Sequence, residues 1–465
     1  MINRYQQHFE QNKGQIITGI IISGLFILSA VLSPFIAQGN RLMQLAFGLY
    51  LGLAGVIVLL RFPQLGLVML VVTSMVVPFR ISTGSESSIN AFMILLSLLI
   101  GLWLLEMLVR NRDFSFITSR TVVAGLIFAG SALISFGFGQ LPWFQSNAAP
   151  ITAQIGQLGM FLLAVGAFLL IAHKVELSGL KGMVWVFLSL GGLFLVGRVV
   201  PVLNSTIIPL FQRAVWDSLF WTWMMAMSFS QAVFNHNLAT RWRIALAGVS
   251  LITAYIGLVV AQGWTSGWLP AVVAVGLIMW VGLPQWRSKM VWMGLLLAAV
   301  NYQKILGIIL VGDNEYSMMT RLEAWRVLMN VISANPIFGV GPANYYWYSA
   351  LFPILGYYVP FNSHNNYIDI IAQTGLVGVI LFLWFLWEIG KVGLKLQHEV
   401  PEGFQRAYVY GCLGGLGGML VAGMLGDWLI PFVYNVGLEG FRASGLAWMF
   451  LGGLLALKRL NHINA

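Results

Sequence analysis

The sequence predicts an all-α, polytopic integral membrane protein, a helical bundle of about 12–14 transmembrane helices. Three observations predict it. Of 465 residues, 59% are hydrophobic and only 9% charged, where a soluble domain carries roughly 25% charged residues; a water-soluble chain this apolar has no polar surface left to present. The apolar residues gather into runs of roughly 20, the length that crosses the hydrocarbon core as a helix. Strands of a membrane barrel would instead alternate in polarity over about 10 residues. Finally, the basic residues are segregated along the chain in a way that fixes an orientation.

In order, the runs lie near 15–36, 43–60, 64–79, 91–109, 121–138, 151–172, 182–203, 216–234, 244–262, 266–284, 290–310, 370–390, 407–429 and 441–457. The third is short and the seventh carries Arg198, which makes twelve or thirteen spans alternatives to fourteen. With the N-terminus in the cytoplasm, all but eight of the 25 basic residues fall in cytoplasmic segments; the eight are Arg41, Arg80, Arg198, Arg213, Lys304, Arg321, Arg326 and Arg442. Cations stay on the cytoplasmic side, so both termini are expected inside. The net charge of +10 is this topological bias and not a nucleic-acid signal, because the basic residues are scattered over many short loops. The single cysteine, Cys412, lies within a span, which excludes an intramolecular disulfide. Residues 15–36 are too long for a cleaved signal peptide, and no A-x-A site follows them.

Residues 1–465 read as one membrane domain with one long extracytoplasmic loop, 311–365, rich in Tyr, Trp, Asn, Pro and Gly. A long loop on one face of a helical bundle is where function usually sits. Thr320 with Glu323 three residues later reads as a capping box, and Asn335-Pro336 ends the helix it starts. Arg321 and Trp325, four apart, share a face with Leu328 and Ile332. The helix is expected to lie on the membrane surface with its apolar face down and Arg321 near the headgroups. Phe338-Gly339-Val340-Gly341-Pro342 then makes a tight turn, which is no phosphate-binding loop because the following Lys-Ser/Thr is missing.

The loop ends in Phe361-Asn362-Ser363-His364-Asn365-Asn366-Tyr367. His364-Asn365, nine residues, Gly375, two residues and Gly378 resemble the signature of the O-antigen ligase and O-antigen polymerase superfamily. Arg321-Leu322-Glu323-Ala324-Trp325 and Asn335-Pro336-Ile337-Phe338-Gly339-Val340-Gly341 resemble the same superfamily's Arg-x-x-x-Trp and Pro-x-x-Gly-x-Gly block. The resemblance implies a type C-like membrane glycosyltransferase of cell-surface polysaccharide assembly in a bacterial inner (plasma) membrane. The donor would be an undecaprenyl-diphosphate-linked oligosaccharide. The acceptor would be lipid A core, another glycan repeat unit or a protein, and the active loop would be periplasmic or extracellular. No cofactor, nucleotide sugar or metal is implied. By the same resemblance the functional residues are Arg213, Arg321 and His364. One departure stands out: many relatives carry an arginine after the serine near the start of the tenth span, where this chain reads Trp264-Thr265-Ser266-Gly267-Trp268.

The residues can be weighed on their own chemistry. A lipid diphosphate donor needs fixed positive charge at the membrane surface, and the planar fork of arginine binds two oxygens at once. Arg213 and Arg321 lie on the side where positive charge is scarce; the plain alternative is that they snorkel to headgroups. Arg326 is about 140° around the helix from Arg321 and is expected to face lipid or water. Arg198, within an apolar span, is a donor contact or a structural anchor. His364 suits general base catalysis on a sugar hydroxyl, or else simply hydrogen-bonds at a helix start. Asn365 would orient the ring or a substrate hydroxyl, and Trp325 would line the substrate site. Asp427 is expected to pair with Arg442 or to contact a sugar. Gly411, Gly414, Gly415, Gly417, Gly418 and Gly423 read as close helix packing. The tyrosines and Trp347 at 345–348, with Tyr357 and Tyr358, read as an interfacial belt or as stacking platforms for sugars. A transporter or flippase of lipid-linked oligosaccharide is the alternative function. It would be expected to show internal repeats and charged broken helices near the midplane, and no convincing repeat links the two halves. Ligase, polymerase and protein oligosaccharyltransferase share the donor chemistry and differ in the acceptor site.

Overall fold

The computed structural model describes residues 55–82, 88–300, 302 and 315–463. The first expected span, most of the second, the end of the eleventh and the start of the long loop lie outside these residues. The chain divides into two packing units between Gly66 and Leu67, and the candidate site lies wholly in the second.

The described helices are α1 (Pro63–Met75), α2 (Ala91–Glu106), α3 (Arg120–Phe138), α4 (Ile151–Lys174), α5 (Leu177–Val199), α6 (Pro201–Ile207), α7 (Ser218–Phe234), α8 (Thr240–Tyr255), α9 (Thr265–Gly282) and α10 (Arg287–Val300), followed by α11 (Glu315–Ile332), α12 (Asn344–Ser349), α13 (Asn366–Glu399), α14 (Phe404–Leu425) and α15 (Phe441–Ile463). The only strands among the described residues are β1 (Arg80–Ser82) and β2 (Ser88–Asn90), paired antiparallel. Nine of the described helical segments are long and apolar enough to cross a membrane, so the chain is a multi-pass helical membrane protein. The short third run becomes α1, 13 residues long, and the eighth becomes α7, with 17.

Local sequence starts several helices through capping side chains. Asn90 accepts the Met93 amide, Ser119 that of Thr121 and Asp217 that of Leu219; each occupies an orphan amide of a first turn. The capping box expected at Thr320 is not formed. Helix α11 already runs from Glu315, so Thr320 sits in its second turn.

Packing explains the glycines of α14. A Cβ at Gly414 would stand 2.5 Å from the Ala274 carbonyl oxygen, and one at Gly418 2.5 Å from that of Pro270. The backbones of α14 and α9 therefore touch at a distance only glycine allows, a packing mode suited to helices in lipid. The apolar window of α15 is buried along its whole length, as expected of a helix that is hydrophobic all round and enclosed by others.

Charge is sorted by helix end. Lys174, closing α4, meets Glu106, closing α2, at 2.6 Å. Lys181 near the start of α5 lies 5.8 Å from the Phe404 ring at the start of α14. Arg459 in the last turns of α15 donates to the Val175 carbonyl. The opposite ends, where α3 finishes and α13 begins, carry the long loop.

Candidate active site

The long loop is fastened to a break in α13. At Gly375 the backbone leaves the helix (φ 68°, ψ −172°), which orphans two donors and two acceptors. The loop turn satisfies them. Leu376 N donates to Pro336 O (2.8 Å) and Val377 N to Ile337 O (3.2 Å); in return Val340 N donates to Ala372 O (3.0 Å) and Gly341 N to Gln373 O (3.1 Å). This splice needs glycine on both sides. A Cβ at Gly339 (φ 73°) would lie 2.3 Å from the Gln373 oxygen, and one at Gly375 2.2 Å from the Ile337 oxygen. The spacing of the glycines in both sequence motifs thus records one backbone junction, and Asn344 locks it. Its Nδ2 donates to Gly139 O (3.0 Å) and Val340 O (2.9 Å), while its Oδ1 accepts from Ala149 N (3.0 Å).

Helix α11 does not lie with its apolar face on the bilayer. Leu328, Val331 and Ile332 pack with Val340, Tyr345, Tyr348, Ala372 and Phe432 in one buried cluster. The stripe is used on the protein's own core, because the folded loop offers an apolar surface that sequence periodicity cannot distinguish from lipid. Trp325, expected to line the site, is half buried and donates its Nε1–H to Ser363 O at 2.8 Å; it ties α11 to the histidine segment. Arg326 does face outward, 81% exposed, with Glu323 at 3.7 Å.

The segment before α13 is held residue by residue. Asn362 accepts the His364 amide. Ser363 Oγ accepts from Asn365 N (2.9 Å) and donates to Asp369 (2.6 Å), which also accepts the Tyr345 hydroxyl. Asn365 caps α13, accepting from Tyr367 N (3.0 Å) and Ile368 N (3.4 Å), and donates to Met424 O (3.3 Å). Its amide is therefore committed to the helix start rather than to the imidazole. Asn366 clamps the α14–α15 connection, donating to Ile430 O and accepting from Leu429 N, both at 2.7 Å. Between these anchors His364 takes a left-handed conformation (φ 51°), a costly geometry for a non-glycine residue and one that neighbours must impose.

His364 and Arg321 line one cavity of about 440 Å³, together with Tyr346, Phe361, Asn362 and Tyr434. Arg321 is half buried and makes no hydrogen bond or ion pair with a described residue. A guanidinium so placed is a standing site for an anion. Burial pushes the His364 pKa below its usual range and the Arg321 charge pushes the same way, while Asp427 opposes both. Burial and the Arg321 charge favour the neutral ring, the form that can take a proton.

Asp427 was expected to pair with Arg442 or touch a sugar. Arg442 instead binds Glu439 at 2.6 Å and the carbonyls of Thr73 (2.7 Å) and Val77 (3.1 Å). Asp427, 1% exposed, accepts Asn435 Nδ2 at 2.7 Å and Phe432 N at 3.0 Å. The same Asn435 nitrogen lies 3.5 Å from His364 Nδ1, the long limit of a hydrogen bond. Asp427 and Asn435 thus back the histidine from a segment some 60–70 residues further on. A buried Asp between two apolar spans was the available signal, and pairing it with the nearest arginine in sequence misread it. Burial raises the Asp427 pKa, and the bonds from Asn435 and Phe432 oppose that rise.

The other expected arginines stand apart from this cavity. Arg213 opens a short 3₁₀ turn, Arg213–Trp216, and is exposed. Arg198 stacks on Trp216 with its guanidinium 5.0 Å from the ring centroid, as an anchor would. Just before α9, Trp264 packs near Trp428, ring centroids 6.4 Å apart, next to Asp427 in the chain. The belt tyrosines divide: Tyr345 and Tyr348 are buried, Tyr346 lines the cavity, and Tyr357 and Tyr358 are exposed.

Fold and site together define a multi-pass membrane protein with an arginine and a histidine facing one cavity at one end of its helices. Residues 243–383, a stretch that holds Arg321, His364 and the Gly339–Gly375 junction, match the family model of O-antigen ligase. No curated protein matches the chain.

Proposed function

We propose that the protein transfers a glycan from undecaprenyl diphosphate to an acceptor hydroxyl at the extracytoplasmic face of a bacterial inner membrane, as an O-antigen ligase or a polysaccharide polymerase. The observation that carries the reading is the cavity shared by Arg321, without a described partner, and His364. In the reaction the acceptor oxygen attacks the anomeric carbon as its proton passes to His364. The bond from that carbon to the diphosphate oxygen breaks, and its electron pair leaves on the diphosphate. Arg321 faces the growing charge and stabilises the transition state more than the ground state. The charge of Asp427 favours the imidazolium that forms. Arg213, outside the cavity, is the second cation that the resemblance assigns to the lipid diphosphate. Tyr346 and Tyr434, with ring centroids 4.6 Å apart, line the side on which a pyranose would stack. The orientation rests on the basic residues gathered at the opposite helix ends.

A flippase remains the competing reading, and the break in α13 is the feature it would claim. Two amides and two carbonyls at that break are bonded by the loop, and neither Gly375 nor its partners Pro336 and Ile337 carries charge. Both features support the enzyme instead. The test measures binding of undecaprenyl-diphosphate oligosaccharide beside transfer. Arg321→Ala should weaken binding and cut transfer roughly a hundredfold, about 3 kcal/mol. His364→Ala should bind donor nearly normally and transfer nothing. Equal loss of donor affinity in both variants, with Arg321→Lys fully active, would make the histidine a donor ligand and sink the assignment.

A further inference from the structure

At the helix ends opposite the candidate site lies a second cavity, of about 270 Å³, lined by Arg120, Lys391, Lys395, Lys458, Glu388 and Glu399. Three helices place it there. Helix α3 begins at Arg120 and finishes at Phe138, beside the Gly139–Gly341 contact. Lys391 lies 25 residues along α13 from Asn366, beyond the break at Gly375. Lys458 is in the last turns of α15.

The charges do not cancel. Glu388 pairs with Lys391 at 3.2 Å and Glu399 with Lys395 at 3.5 Å. Arg120 and Lys458 make no ion pair with a described residue, so the cavity holds two cations in excess. The positive dipole end of the 19-residue α3 adds to them. The cavity is also not closed. Thr118, Ser119 and Arg120 are shared with an apolar groove of about 680 Å³ that runs along α3 over Val123 and Leu126, with Phe116 and Trp384 on its walls. Val123 and Leu126 are 48% and 39% exposed.

We propose that this pair of cavities binds one anionic phospholipid, its phosphate between Arg120 and Lys458 and an acyl chain along the groove to Leu126. A soluble phosphate fits the charge but has no use for the groove, and a zwitterionic lipid fits the groove but neutralises its own phosphate. Basic pockets between helix ends at the polar edge of a bilayer take such headgroups.

The probe is spin-labelled phosphatidylglycerol against spin-labelled phosphatidylcholine, with the protein reconstituted in phosphatidylcholine vesicles. The motionally restricted fraction should favour phosphatidylglycerol. Arg120→Gln combined with Lys458→Gln should remove that preference, at roughly fivefold per cation, while Arg120→Lys should keep it. Leu126→Trp, which fills the groove, should lower phosphatidylglycerol restriction with the charges intact. Glu399→Gln, a substitution at an exposed position, should strengthen the preference and stands as the independent check if the double variant does not fold. Preference unchanged in Glu399→Gln or retained in the folded double variant overturns the proposal. So does displacement of the lipid by soluble glycerol phosphate at matched concentration, which would leave an ion site only.

Discussion

At the scale of single residues, the site works by opposing charges around one imidazole. Burial lowers the His364 pKa, Asp427 raises it and Arg321 lowers it further. Because the base must be neutral, the acid limb of transfer is expected below the ordinary histidine value of about 6.5. Asp427→Asn removes the opposing charge, so the limb should move to lower pH. Arg321→Ala removes a charge that favours the neutral ring, so the limb of its residual activity should move to higher pH. The profile of kcat/KM against pH for the two variants checks both signs, and shifts in the same direction would show that neither charge acts on the histidine. The geometry also separates Asn365 from Asn435. Asn365→Asp keeps a helix cap and should retain most activity, whereas Asn435→Ala should cost transfer at unchanged donor affinity.

At the scale of elements, the junction between the loop and α13 is the part that the fold cannot do without. Gly375→Ala drives a Cβ into the Ile337 carbonyl at 2.2 Å and forces a positive φ on alanine. Neither backbone can retreat without breaking the four splice bonds, so the variant should fail to yield a monodisperse protein in detergent. Asn344→Ala is milder. It removes three buried hydrogen bonds, at about 1 kcal/mol each, and should lower the thermal midpoint while leaving a folded protein, as read by fluorescence-detected size exclusion. If Gly375→Ala proves as stable as the parent, the junction is not rigid. Gly375 stands in the sequence as part of the signature spacing, and in the structure it is scaffold, holding the loop that presents His364 and Arg321 to one cavity.

For the whole molecule, the prediction is topological and chemical. In a Cys412→Ala background, a cysteine at Tyr357, 69% exposed, should label from the extracytoplasmic side, and one at Lys395, whose side chain is 66% exposed, only from the cytoplasm. Labelling with the sides exchanged would overturn the orientation and the mechanism with it. Charge on the leaving diphosphate falls to arginine in this reading. Among the described residues no three His, Cys, Asp or Glu side chains are grouped to hold a metal. Transfer by the purified protein should accordingly survive EDTA, and strict dependence on Mg²⁺ or Mn²⁺ would count against the arginine assignment.

What the sequence determined by itself was whatever depends on composition and local pattern. Burial of apolar runs of roughly 20 residues requires helices in lipid, and the runs near 91–109, 121–138 and 151–172 became α2, α3 and α4 almost to the residue. Motif spacing pointed to Arg321 and His364, and tertiary structure brings them to one cavity. Only the tertiary structure decided what lies across from what. Asp427 and Asn435 reach His364 from a segment far along the chain, and no local pattern distinguishes that partnership from an ion pair with Arg442. The apolar stripe of α11 reads the same whether it meets lipid or the core formed by Val340 and Phe432. Gly339 and Gly375 carry no side chain at all, so their role became visible only once two backbones were seen to occupy the same space. Periodicity and composition report how a segment meets its surroundings on average, whereas a site is made by particular groups meeting at contact distance.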